Sequence, residues 1–506
     1  MNSMAFPRRV ALAALMAAGI AAGMADTALA QPRNLTIALP TNVNTLDPHN
    51  TTTIATDLSV ISHIHAALLV RGPDLKLQPQ LATAWRAVDD TTWRFTLRAG
   101  ATFSNGEALD AEAVKWNFER VMNPANNARV RPWLALVSEV SVLSPTEIEV
   151  KTRSPYPALA DQLSTFFLLP PRWTQGNNPA NSAVGAGPYE LRQFTSGDRA
   201  VVVARPSWFG ERPAFDTVTF RVIPEAGARI AALMAGEVDL ITGVPPSEMR
   251  RIDQSGRGRT GHVDSIRSVF VKYNLLTAPF RDNRALRQAL NAAVDREAIR
   301  DAIWNGIGST STCQVLTPAY FGYNEALRAP AFDQARARRL LQEAGVRPGQ
   351  LTIEFEVPVG PYLLAQEITQ AVAAQLEEIG VRTRIVEMEF GAWMNKYLRG
   401  PNMGQMAYLS QAWPTLDADG LLALFESGSP YAYWNDEPFT NLLRQARQTT
   451  DATRRRAIYT EATQRMCDEA PILFLFTQPV TYATSNRITW QARGDDWLRA
   501  GDITPR

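Results

Sequence analysis

Thr92-Trp93-Arg94-Phe95-Thr96-Leu97-Arg98 alternates side chains that favour water with side chains that avoid it. Successive side chains of a strand point to opposite faces, so this two-residue period predicts a strand with one buried face. Residues 215–223 repeat the pattern, with Val218, Phe220 and Val222 on one side. Shorter segments at 35–39, 148–151, 201–204, 269–274, 351–357, 381–386, 406–409 and 472–476 also read as strands. Helices with their own boundary signals stand between them. Asp110, Asp282 and Asp333 each offer an acceptor to the free amides that open helices at 111–122, 284–294 and 334–344. Gly345 and Gly380 suit the left-handed residue that ends 334–344 and 361–379. Strand and helix signals interleave along the whole chain without a repeat. The fold class is therefore α/β, with several mixed sheets rather than one barrel.

The first thirty residues stand apart from that pattern. Arg8 and Arg9 precede the apolar stretch 10–23, and Ala28-Leu29-Ala30 supplies small residues for cleavage. This order is that of a secretory signal, with cleavage expected after Ala30. Gln31 takes the place of the cysteine that a lipid anchor needs, so the expected product is periplasmic and unanchored. Cleavage leaves 506 − 30 = 476 residues, which exceeds one hydrophobic core and predicts two or three domains. It also removes two arginines and Asp26, so the formal charge becomes +1 − 2 + 1 = 0. A neutral chain without a basic block argues against a nucleic-acid partner. Cys313 and Cys467, the only cysteines, are too few for a zinc site and are expected to pair in an oxidising compartment.

Several stretches resemble the family 5 extracellular solute-binding proteins of ABC importers, the dipeptide- and oligopeptide-binding type. They include "DDTTWRFTLRAGATFSNGEALDAEAVKWNFER" from Asp89, "VGAGPYEL" from Val184 and "FRVIPEAGARIAALMAGEVDLI" from Phe220. "VKYNLLTAPFRDNRALRQALNAAVDREAI" from Val271 and "FDQARARRLLQEAG" from Phe332 follow in the family's order. Turn and cap chemistry accounts for most of these residues, as in the Asn105-Gly106 turn. The resemblance implies a type II periplasmic binding protein of the large cluster, two-lobed, with an extra subdomain near 60–180. Lobe 1 would span 31–268, lobe 2 269–479, and a tail at 480–506 would return to lobe 1. Strands near 269–274 and 477–482 would form the hinge. The implied partners are a small solute and an ABC permease in the inner membrane, the chain acting as a monomer without a cofactor.

Candidate site residues follow from the same comparison. The loop "NVNTLDPH" matches the one that reaches the ligand, which nominates Asn44, Thr45 and Leu46. Phe390 and Tyr362 match aromatic positions that line the pocket in dipeptide-binding relatives. Trp413 follows the strand at 406–409, whose end faces the cleft in the family, and Pro414 sets the corner behind it. Ala412 and Thr415 flank it. A flat apolar ring there would cover a ligand side chain, the alternative being a core tryptophan. Asp417 and Asp419 stand two apart before Gly420-Leu421-Leu422. Helix capping accounts for them best, with a ligand contact at Asp417 second and catalysis last. A secreted hydrolase using one of them as its acid is the rival reading, and a ligand-dependent sensor or chaperone partner is another. No hydrolase elbow, zinc helix or nucleotide loop is present, so no catalytic residue and no metal site is assigned. His63 and His65, two positions apart on a helix, cannot share a metal, and His49 and His262 stand alone.

Two departures from the family bear on specificity. Gly360 occupies the position of the arginine that holds a dipeptide's carboxylate. The run from Trp413 to the Asp-x-Asp is two residues shorter than in those relatives, and the aspartate that would hold the amine is missing. The expected ligand is therefore not a free dipeptide. It is an end-modified or longer peptide, an oligosaccharide, an opine-like compound or another amphipathic solute.

Overall fold

The computed structural model describes residues 33–51, 54–360, 362–400 and 402–506, with the side chain of Ile54 excepted. The expected leader and its cleavage point lie outside these residues, as does Pro361.

Residues 34–506 are built around one mixed sheet of eleven strands among the described residues. From one edge it runs Arg382–Glu389, Thr352–Val359, Met406–Gln411, Gly258–Tyr273, Ile472–Ser485, Leu240–Thr242, Asn34–Leu39, Thr217–Val222, Arg199–Ala204, Tyr189–Thr195. Ser309–Thr310 joins Ile472–Ser485 off this path. The two long central strands pair antiparallel, Gly258 facing Ser485 at one end and Lys272 facing Ile472 at the other. Ile472–Ser485 is buried along nearly its whole length, which explains its apolar, β-branched composition.

Apolar side chains collect into separate cores along this sheet. Leu35, Ile37, Val218 and Phe220 pack with Ile488 and Ile503 from the chain's end. Val269, Val271, Tyr273, Phe355 and Leu475 form a second core, and Phe270, Leu409, Leu422, Phe425 and Tyr459 a third. A smaller antiparallel sheet, in the order Ala82–Asp89, Thr92–Leu97, Glu147–Thr152, Val137–Ser144, covers a core of its own with Ala111–Met122. Gly185 and Gly187 press against the helix end that joins this subdomain to the main sheet. A Cβ on either would stand 2.0 Å from Ile64 O or 2.4 Å from His63 O.

Most expected elements are present, with differences that have local causes. The segment 269–274 is the end of a sixteen-residue strand, Gly258–Tyr273. Ala82–Asp89 and Val137–Ser144 carry no clean alternation because they are the two outer strands of the small sheet and stay largely exposed. Asp282 does not cap its helix. It takes a left-handed φ of 54°, and Asn283 accepts from Leu286 N instead. Asp110 and Asp333 do cap theirs. The helix expected at 361–379 is Ala365–Glu378, started after Leu364 turns left-handed at φ 58°. Cys313 and Cys467 are joined, with Cα atoms 5.2 Å apart, tying a loop to the helix Ala452–Glu469. Lys272 is buried in the third core with no carboxylate partner among the described residues. Its Nζ donates to Tyr397 Oη at 3.0 Å and Tyr431 O at 2.9 Å, and burial pushes its pKa down to about 7.

Candidate ligand cleft

The two long strands lose register at two places, a one-residue slip between Val269 and Phe270 and a wider one between Asp264 and Ser268. Asp264 faces Pro479 and Ser268 faces Thr477, so Ser265, Ile266 and Arg267 bulge opposite Gln478 alone. A bulge bends its strand and re-aims a side chain. Local polar contacts fix this one. Ser265 Oγ donates to Gln478 O at 2.5 Å and accepts from Arg267 N at 2.9 Å, while Ile266 N donates to Gly494 O. The Arg267 guanidinium then meets Asp496, from the chain's last segment, through Nε at 3.0 Å and Nη2 at 2.8 Å. Its Nη1 donates to Ser410 O at 3.3 Å. Burial pulls the Arg267 pKa down, but the Asp496 carboxylate outweighs it and holds the guanidinium above its ordinary value.

Aromatic side chains surround this pair. Tyr362 stands edge-on to Phe390 at 6.0 Å between ring centres and lies 5.8 Å from Tyr408. Burial lifts the Tyr362 hydroxyl to about 12, with Arg267 close enough to oppose the shift. On the other side, Tyr320 Oη accepts from Trp413 N at 2.7 Å, and Tyr320 is itself an electrostatic neighbour of Arg267 and Asp496. Trp413 is half-buried, with its ring laid over Gly420, where a Cβ would fall 2.0 Å from Cδ1. The indole is thus pinned to the start of the helix Ala418–Leu422 and packs, half-buried, against the third core.

The two aspartates of that helix are occupied. Asp417 caps it by accepting from Asp419 N at 3.0 Å, and both its oxygens receive Arg455 nitrogens at 2.7 Å. Only 3% of Asp417 is exposed, so a bound solute has no oxygen of it to reach, and it leaves the ligand set. Asp419 pairs with Arg447 Nε at 2.6 Å. Burial raises its pKa against that guanidinium. Neither carboxylate is an open acid.

The other nominated residues divide by accessibility. Gly360 is exposed at φ 119°, and a Cβ there would have nothing within 4 Å. Asn44 is exposed, with its backbone N donating to Asp57 Oδ1 at 2.9 Å. Thr45 is buried, its Oγ1 taken by Asp47 N. Leu46 is a core residue at 0% exposure and leaves the set as well, because its side chain packs inward and its N donates to Ala180 O. Ala412 and Pro414 are half-buried beside Trp413. Thr415 is buried, and its carbonyl accepts from Arg71 Nη2, which also holds Asp161 at 2.6 Å. Thr450 Oγ1 meets Asp90 Oδ1 at 2.8 Å, a second contact between segments distant in sequence. The concavities of about 520, 660, 670 and 780 Å3 lie elsewhere.

Sequence reasoning missed Arg267, Tyr320, Tyr408, Ser410 and Asp496. A charged residue just before the apolar run 269–271 was the one available signal, since a bulge is what lets arginine sit there. Histidine readings also shift. His63 and His65 are both buried and bonded to backbone carbonyls. His49 is not alone: Arg120 Nη1 donates to its Nδ1 at 2.6 Å and Asp47 holds the same arginine. Burial pushes His49 down to about 3. No group of three or more metal-ligating side chains occurs among the described residues, and no helix among them is long and apolar enough to cross a membrane.

A long mixed sheet crossed by two central strands, with separate cores along it and an added subdomain, is the fold of a two-lobed type II periplasmic binding protein. Residues 76–433 match the profile of the bacterial extracellular solute-binding proteins, family 5 Middle, and the chain belongs to that family. It is similar to the glutathione-binding protein GsiB of Salmonella paratyphi A, 27% identical over 94% of this chain and 95% of that one. The dipeptide-binding protein of Escherichia coli is 28% identical over 78% and 80% of the two chains. Among solved structures, the ABC transporter-associated periplasmic binding protein DppA from Helicobacter pylori, in complex with the peptide STSA, superposes with a TM-score of 0.82. That likeness has 20% identity and covers 94% of this chain and 98% of that one.

Proposed function

We propose that the protein is the periplasmic solute-binding component of an ABC importer, capturing a peptide-like or other amphipathic solute between two lobes by hinge closure. Lobe 1 takes residues 31–268 with the tail 480–506, and lobe 2 takes 269–479. The observation that carries this reading is the bulged crossing of the two central strands, with Tyr362 and Tyr320 near Arg267, Phe390 edge-on to Tyr362 and Trp413 bonded to Tyr320. Rigid-body closure about such a hinge brings two walls onto one solute. A ligand drives closure only by binding the closed form more tightly than the open one. Relatives named for glutathione and dipeptides support a peptide-like solute.

A free dipeptide fits the site poorly. Gly360 offers no guanidinium, and the Trp413–Asp419 run offers no uncommitted carboxylate, since Arg455 and Arg447 hold both acids. A dipeptide buried there would leave end charges uncompensated at those two places, which is costly. An end-modified peptide, an oligosaccharide or an opine-like compound remains compatible with the aromatic wall.

Native mass spectrometry of protein purified without refolding tests the reading, followed by thermal shift over peptides, sugars and opines. A true ligand at a hundredfold excess over its Kd should stabilise the protein by about 2.7 kcal/mol. Strong stabilisation by simple dipeptides would overturn the specificity part. A protein that carries and binds no solute would overturn the whole.

A further inference from the structure

Arg267 has more hydrogen-bonding capacity than its protein partners use. A guanidinium carries five N–H donors. Its three contacts, two to Asp496 and one to Ser410 O, leave 5 − 3 = 2. Both Asp496 contacts fall on Oδ2, and no donor among the described residues meets Oδ1. Each side chain of the pair is 24% exposed, so neither is sealed. Asp496 is held at a left-handed φ of 62°, a conformation uncommon outside glycine. Behind Tyr362, the Tyr408 hydroxyl is buried without a protein partner, and so is Gln411 Oε1 on the same strand. The pair therefore presents an unspent cation and an unspent anion side by side, with Tyr362 and Phe390 at their edge.

We propose that Arg267 anchors the carboxylate of an amino-acid-like solute whose ammonium stands on the same carbon, unlike the separated ends of a free dipeptide, with Asp496 Oδ1 taking that ammonium and the Tyr362–Phe390 wall covering its apolar part. This rests on the solute-binding reading above and replaces the anchor absent at Gly360 with one on the hinge. The placement has a mechanical result. Arg267 lies in the bulge, Ser410 on the strand that pairs with it, and Asp496 on the returning tail. A carboxylate seated on Arg267 thus touches the group that links the central strands to the tail, and charge-assisted bonds to a guanidinium fork are strong and directional.

The test uses the purified protein, immobilised, and a bacterial metabolite extract applied untreated and after methylation of its carboxylic acids. Retained solutes are identified by mass spectrometry. Wild type should retain an amino-acid-like acid from the untreated extract and not its methyl ester. Arg267→Met should retain at least tenfold less while its circular dichroism spectrum stays that of wild type. Asp496→Asn should keep carboxylate recognition but lose the preference for a free amine. Should Arg267→Met not fold, Arg267→Gln, with similar bulk and no charge, takes its place. Equal retention of the ester, or undiminished retention by the Arg267 variants, would overturn the anchor and leave solute binding standing. Wild type retaining nothing from either extract would overturn solute binding itself and the anchor with it.

Discussion

Arg455 grips Asp417 with both Nη atoms at 2.7 Å, and only 6% and 4% of the two side chains reach solvent. Arg267 meets Asp496 through a single carboxylate oxygen, with 24% of each side chain exposed. The chemistry is the same and the circumstances are opposite. Asp417 also caps a helix through Oδ1, which has Tyr459 Oη 3.4 Å away, so both its oxygens are engaged. Such a pair holds a loop in place and, although Arg455 Nε has no partner among the described residues, burial keeps it from any visitor. Asp496 and Arg267 are restrained by a bulge and a left-handed turn yet keep unused donors and an unused oxygen. Exposure, rather than the presence of charge, separates the two pairs.

The sharpest way to break that contrast is Asp417→Ala. It strands Arg455 in a buried setting, and we expect a loss of about 3–5 kcal/mol, read by urea or thermal unfolding. A loss below 1 kcal/mol would mean that the pair is not the lock described. The helix that carries Arg455 is also tied by the Cys313–Cys467 bridge, which closes a loop of 154 residues. Replacing both cysteines by serine should cost about 2–5 kcal/mol, mostly through a freer unfolded chain. Calorimetry of the double variant against oxidised wild type checks it.

Lys272 supplies a third case, a buried cation with no carboxylate partner among the described residues. Its ordinary pKa of 10.5 falls to about 7 in the folded protein. Between those values the unfolded chain holds a proton that the folded chain has released. Stability therefore rises as pH increases from about 7 towards 10, by at most about 1.4 kcal/mol per pH unit from this group. Lys272→Met should remove that part of the slope, as seen in unfolding midpoints at a series of pH values. The smallest effect belongs to the open pair. Asp496→Asn should change stability by under about 1 kcal/mol, because a half-open ion pair contributes little and asparagine tolerates the left-handed turn. A larger loss would move Arg267–Asp496 into the scaffold class.

Legibility in the sequence followed the physics of each element. The strand at Thr92–Leu97 was plain because one face is buried, whereas Ala82–Asp89 was invisible because both faces meet solvent. Asp110 and Asp333 announced their helices, but Asp282 misled because its neighbour Asn283 has the geometry to cap. At the site, Trp413, Tyr362 and Phe390 were nominated by likeness to a family; Tyr362 lies near Arg267 and edge-on to Phe390, and Trp413 N donates to Tyr320. Leu46 was nominated with them but faces the core, since matching a loop does not say which way each side chain turns. Arg267 escaped because its place depends on a register shift between strands some two hundred residues apart, and no local pattern encodes a long-range register.

The sheet itself sets terms for motion. Because one hydrogen-bonded ladder runs unbroken in strand order from Arg382–Glu389 to Tyr189–Thr195, the two halves are not beads on a string. The proposed closure must flex a continuous fabric, and the wider of the two register shifts in its central seam is the three-residue step at Ser265–Arg267. Amides on either side of the step should therefore exchange slowly with deuterated solvent whether the cleft is open or shut. Swings in exchange should concentrate in a few residues, so the hinge would behave as a crease rather than a joint.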